Sequence, residues 1–151
     1  SAIALSRQKV PYINPNNSKV NKCAKGAYTV NITSHESKVT LVASGTEVEL
    51  ALKVQDKLKE NNIHSKVVSM PCMELFDQQP ESYRKDILED SSLIVTLEAG
   101  SIMSWQKYVT GSGLNLGIDK FGESAPYKEV YRYFGLSEED ITNFIQKKLR
   151  E

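Results

Sequence analysis

The sequence predicts an α/β domain whose mainly parallel sheet is covered on both faces, and three features of the chain lead there. From residue 25 onward, apolar strand-like runs alternate with segments of helical periodicity, the pattern of repeated strand–helix–strand units. The runs at 39–43 and 93–97 are largely apolar, as strands buried on both faces are. The polar stretch 33–38 between the first two runs is too short for a right-handed crossover, so the first strand is expected to run antiparallel.

Taken in order, residues 1–8 form a short apolar strand that runs into Arg7 with nothing upstream to pair its backbone. A strand needs neighbours for its N–H and C=O groups, so this opening reads as the last strand of a preceding domain. Arg7 offers a planar, permanently charged fork that suits a phosphate, or equally a surface carboxylate. The connector that follows, to residue 24, carries Pro11, Asn14, Pro15, Asn16, Asn17 and Ser18, a turn-rich, aperiodic composition that marks a domain boundary. The division is therefore 1–24 and 25–151.

Strands are expected at 27–32 and 39–43. A helix follows at 47–61, where Val48, Ala51, Val54 and Leu58 recur at three- and four-residue spacing. A third strand at 66–70 is stopped by Pro71. Then come a helix at 82–88, a strand at 93–97, a helix at 102–109, a strand at 114–118, and closing helices at 127–134 and 138–150. Between the last two, Gly135 with Leu136 reads as a glycine stop with its apolar follower, and Ser137 as the N-cap of an acidic first turn.

The 19 basic and 19 acidic side chains give a formal net charge of zero, so no basic field invites nucleic acid or a membrane surface. No apolar run approaches the length that spans a bilayer, and no secretory signal composition is visible. Cys23 and Cys72 do not make a disulfide framework; reduced, buried, structural thiols in a cytoplasmic protein are expected.

Each candidate for chemistry has a plainer structural role. Ser44-Gly45-Thr46-Glu47 sits between a buried strand and a helix, where nucleotide-binding folds place phosphates. It lacks a glycine-rich signature, however, and both Ser44 with Glu47 and Thr46 with Glu49 fit a capping box. His35 and His64 have no partner at metal-ligand or nucleophile spacing and read as solvated surface groups. Glu98 and Asp119 follow strands, at the ends where open parallel sheets collect ligand groups; bonding to loop backbone or contact with a partner is the expectation. The aromatic residues of the second half, Trp105, Tyr108, Phe121, Tyr127, Tyr131, Tyr133 and Phe134, lack the interleaved cations of a base-stacking platform and suit core and interface filling.

With these residues set out, the chain resembles the transketolases along nearly its whole length. The resemblance is carried by Leu5-Ser6-Arg7-Gln8, Lys25-Gly26-Ala27-Tyr28, Ala43-Ser44-Gly45-Thr46-Glu47-Val48, Val67-Val68-Ser69-Met70-Pro71-Cys72 and Glu74-Leu75-Phe76-Asp77. It continues through Glu98-Ala99-Gly100 and residues 105–108 to Gly117-Ile118-Asp119-Lys120-Phe121-Gly122-Glu123-Ser124-Ala125-Pro126. It implies a three-layer α/β/α domain with a mostly parallel five-stranded sheet including one antiparallel strand. It also implies that residues 1–24 are the end of a pyrimidine-binding domain plus linker, and residues 25–151 the non-catalytic C-terminal domain.

The intact family enzyme is a homodimeric cytoplasmic transferase of the pentose phosphate pathway. It moves a two-carbon ketol unit between sugar phosphates with thiamine diphosphate and a divalent cation (Mg2+ or Ca2+). By the same resemblance Arg7 contacts the substrate phosphate, while no catalytic, cofactor or metal residue falls in this chain, which is expected to be inactive alone. Lys9-Val10, Ala27 and Gln106 depart from residues common in the family, and Gln106 removes an imidazole often present there. Two other identities fit the same fold: the C-terminal domain of a pyruvate-type dehydrogenase or deoxyxylulose phosphate synthase, and a free-standing α/β module that binds an effector or a partner.

Overall fold

A computed structural model describes residues 8–13, 20–88, 93–109 and 111–151. Its centre is a five-stranded sheet of β1 (Tyr28–Ile32), β2 (Val39–Ala43), β3 (Ser65–Ser69), β4 (Leu93–Leu97) and β5 (Leu114–Leu116). They lie in the order β1-β3-β2-β4-β5. β3, β2, β4 and β5 are parallel and β1 is antiparallel. The expected class, a three-layer α/β/α domain with one antiparallel strand, is therefore the one found.

Two apolar clusters explain why the central strands β2 and β4 are largely apolar. On one face, Val39, Leu41, Ala43, Val67, Val95 and Leu97 pack against α1 (Glu47–Glu60) and α5 (Glu138–Lys148) through Val54, Leu58, Ile141 and Ile145. On the other face, Val42, Val68 and Ile94 pack with Phe76 of α2 (Met73–Asp77), Ile87 of α3 (Glu81–Leu88), Trp105 and Tyr108. Successive residues of a strand point to opposite faces, so covering both faces removes the polar alternation of a half-exposed strand.

β1 runs in the expected direction, but its neighbour is β3 and not β2. The 33–38 stretch passes over the start of β3, held by Thr33 N–H donating to Ser65 O at 3.1 Å and Lys38 N–H donating to His64 O at 3.0 Å. The register slips by one residue between Thr29 and Asn31, a bulge that re-aims the strand. There Asn31 Nδ2 donates to Gln55 Oε1 at 2.8 Å, and Gln55 Nε2 donates to Ser65 O at 2.9 Å. The buried amide thus ties the edge strand to α1.

Three further differences have local causes. Residues 103–108 form a 3-10 helix, not an α-helix. Its three-residue turn stacks Trp105 and Tyr108 on one side, where both are buried. α2 escapes sequence reading because it is a single short helix with one buried residue, Phe76. β5 stops at Leu116, and Ile118 N–H turns to Gly100 O at 2.7 Å. α4 (Tyr127–Tyr133) and α5 close the chain as expected. Between them Leu136 is buried, and Ser137 accepts the Asp140 backbone N–H.

Candidate functional site

In a parallel sheet, ligands collect where neighbouring strands send their connections to opposite sides. Here that place lies between β2 and β4: the chain leaves β2 through α1 to β3 on one side, and returns to β4 on the other. The loops that open there are 44–46 and 98–100. A shallow depression of about 310 Å³ beside them is lined by Ser44, Met70, Cys72, Glu74, Glu98 and Trp105, among others.

Glu98 lines this crevice, Glu47 acts on it through its charge, and both carboxylates are engaged. Glu47 is only 6 % exposed. Its Oε1 accepts from Thr46 Oγ1 at 2.7 Å and from the Tyr131 hydroxyl. Burial pushes the Tyr131 phenol up, and its bond to Glu47 adds to the rise. Glu98 Oε2 accepts from Trp105 Nε1 at 2.9 Å. Burial pushes the Glu98 carboxyl up, the indole N–H works against that rise, and the charge of Glu47 adds to it. Each carboxylate therefore orients the element beside it, Glu47 holding α4 and Glu98 the 3-10 helix.

The expected capping box at α1 does not form. Thr46 has helical backbone angles, φ −66° and ψ −27°, and its side chain makes no cap bond. A capping residue needs an extended backbone to turn its oxygen toward the next amides; here backbone turns through Ser44 O, Gly45 O and Thr46 O take those N–H groups. Glu47, read from sequence as a cap partner, is a buried tether to Tyr131 instead. That pair lies 84 positions apart in the chain, beyond any local pattern.

The other candidates fall as follows. Asp119 Oδ1 accepts from Ile102 N–H at 3.2 Å, the loop-bonding role expected of it. His35 and His64 are exposed. Cys23 and Cys72 are free as expected, but the expectation of burial is corrected: Cys23 is exposed and Cys72 partly so, because neither side chain lies in either apolar cluster. Arg7 lies outside the described residues. Among the described residues no group of three or more His, Cys, Asp or Glu side chains could hold a metal ion, and no helix is long and apolar enough to cross a membrane.

The crevice does not fit a diphosphate cofactor. Its polar lining includes the carboxylates of Glu74 and Glu98 and no cation, so like charges would face each other. A larger recess of about 680 Å³ between α1, α4 and α5 is lined in part by Gln8, Lys9, Thr46, Lys53, Tyr127 and Glu138. There Lys53 is already matched to Glu49 at 2.8 Å and to Glu138 at 3.9 Å. Gln8 and Lys9, the first of the described residues, form one wall of this recess.

The family model for the transketolase-like C-terminal domain matches residues 26–137. The transketolase of Aquifex aeolicus is 36 % identical over 150 residues, which is 98 % of this chain and 22 % of that protein. The chloroplastic transketolase of Solanum tuberosum is 40 % identical over 144 residues, 93 % of this chain and 19 % of that protein. Among solved structures, a Pichia stipitis transketolase superposes with a TM-score of 0.85 at 30 % identity, over 95 % of this chain and 20 % of that one. The chain thus spans about one fifth of the length of the curated relatives it matches. A family model that matches residues 26–137 and relatives 36–40 % identical over more than nine tenths of the chain have one reading: the protein belongs to the transketolase C-terminal domain family.

Proposed function

We propose that this chain is the C-terminal part of a longer, cytoplasmic, homodimeric transketolase of the pentose phosphate pathway. The parent enzyme moves a two-carbon ketol unit from a ketose phosphate to an aldose phosphate. The observation that carries the proposal is the family match over 26–137 within relatives about five times longer. Solved structures of the Pichia stipitis transketolase in complex with fructose-6-phosphate, xylulose-5-phosphate and sedoheptulose-7-phosphate support the substrate class.

Thiamine diphosphate with Mg2+ or Ca2+ would supply the carbanion chemistry in the parent. The crevice described above does not suit that group, so other domains of the parent hold it. On this reading residues 1–24 end the pyrimidine-binding domain and its linker, and 25–151 form the C-terminal domain. The start of the first described strand at Tyr28 supports that division.

Arg7 is the one residue of this chain proposed to touch substrate. A guanidinium binds a dianionic phosphate through two parallel N–H bonds and keeps its charge at neutral pH. An immunoblot of source-cell extract tests the size of the natural polypeptide; a band near 16.9 kDa would overturn the proposal. In the full-length enzyme, Arg7→Ala is expected to raise KM for phosphorylated substrates by ~10–100-fold, the loss of a charged hydrogen-bonding pair. Unphosphorylated acceptors should be little affected, and equal losses for both kinds would remove Arg7 from the phosphate site.

A further inference from the structure

The recess between α1, α4 and α5 gathers more cationic charge than its own carboxylates match. α1 gives it one face, Thr46, Glu49, Leu50, Lys53 and Lys57, at the three- and four-residue spacing that aligns side chains along a helix. α4 gives Tyr127, Tyr131 and the pair Lys128 and Arg132, again four apart. Lys9 of the connector is the fifth cation, and Glu138 and Glu139 open α5 beside them. Glu49 and Glu138 are taken up by Lys53, at 2.8 and 3.9 Å. Lys9, Lys57, Lys128 and Arg132 make no ion pair with any described residue. Glu139 is the one lining carboxylate left to face them. In a chain whose formal net charge is zero, this is a local concentration of positive charge, held in a concave site where such a field is focused.

We infer that this recess binds a nucleoside polyphosphate. Three observations select that class. Along α1 the lining runs from Thr46 to Lys57, about 17 Å, and the volume of about 680 Å³ lies within the range of small-molecule sites, about 300–1,000 Å³. The four unmatched cations suit an anion of several charges, since a single phosphate or carboxylate would leave most of them unmet. Tyr127 supplies a ring for the base: it is 47 % exposed, and Tyr131, tethered to Glu47, braces it edge-on at 6.0 Å between ring centroids. The crevice beside Glu98 is the opposite case, with carboxylates and no cation in its lining. All the lining residues of the recess belong to this chain, so the inference does not depend on the proposed function.

Isothermal titration of the natural, full-length polypeptide tests the inference, with ATP and inorganic tripolyphosphate as probes. Thiamine diphosphate and Mg2+ are kept in excess so that any cofactor site is filled. The expected result is one site for ATP, about tenfold tighter than for tripolyphosphate because the base stacks, with both weakening as salt is raised. Lys57→Glu and Arg132→Glu should each weaken ATP by about tenfold or more, through the loss of a charged hydrogen bond. Tyr127→Ala should bring ATP down to the affinity of tripolyphosphate. Lys57→Arg keeps the charge and should keep the binding, which separates recognition from misfolding. ATP binding that survives both charge reversals would place ATP elsewhere and overturn the inference. Equal affinities of the wild type for ATP and tripolyphosphate would overturn the nucleoside assignment, and binding of neither would overturn the site.

Discussion

Glu98 is folded at a cost when it is ionised. Burial and the nearby charge of Glu47 raise its carboxyl, against the opposing bond from Trp105. A carboxyl whose folded pKa lies above its unfolded value weakens the fold at neutral pH, and that penalty fades as pH falls through the folded value. Glu98→Gln removes the charge and keeps an oxygen for the indole N–H. The variant is therefore expected to melt above the wild type at pH 7, with the gap closing as pH falls through the carboxylate range. Thermal unfolding between pH 7 and pH 4 measures it; a variant that melts lower throughout would mean that the charge stabilises the fold. Gly26 makes the complementary point about what a sequence reveals. It belongs to a recognisable landmark, but its necessity is spatial: at φ +82°, a Cβ would meet Phe76 N at 2.2 Å and Cys72 O at 2.4 Å. Those neighbours lie about fifty positions away, so the motif is legible and its reason is not.

At the scale of elements, local rules succeeded where the backbone allowed them. Ser137 has an extended backbone, φ −74° and ψ 155°, and caps α5 as its position before an acidic turn implies; Thr46 does not, and the Thr46 capping motif at α1 came to nothing. α4 shows the consequence of a long-range pair. It has no fully buried residue, and its hold on the body comes from Tyr131, which packs against the first cluster and donates to Glu47. Tyr131→Phe would leave a 6 % exposed carboxylate short of a donor, and is expected to cost about 1–3 kcal/mol. Urea unfolding of Tyr131→Phe, Glu47→Leu and the double variant checks it: the two single losses should not add, because they break the same bond. Additive losses would mean that α4 is held by apolar contact alone.

For the whole molecule, the alternation of strands and helices was legible because it is written in local periodicity, whereas the order of the strands was not. β1 and β2 are consecutive in sequence, and nothing between them says that β3 is inserted between them. The same arrangement makes the two faces interdependent. β2, β3 and β4 contribute Leu41, Val67 and Val95 to one cluster and Val42, Val68 and Ile94 to the other, so neither face can lose its strands without exposing the other. The domain is expected to unfold as one unit. Its single tryptophan reports on this directly, since Trp105 is buried in the second cluster, while far-UV circular dichroism is weighted by the longer helices α1 and α5 on the first. Urea transitions followed by the two signals should coincide in midpoint and slope. An earlier loss of the tryptophan signal would mean that the 3-10 helix and its neighbours detach while the other face stays packed. The cooperative unit would then be the sheet with α1 and α5, and the crevice beside Trp105 would open below the global transition.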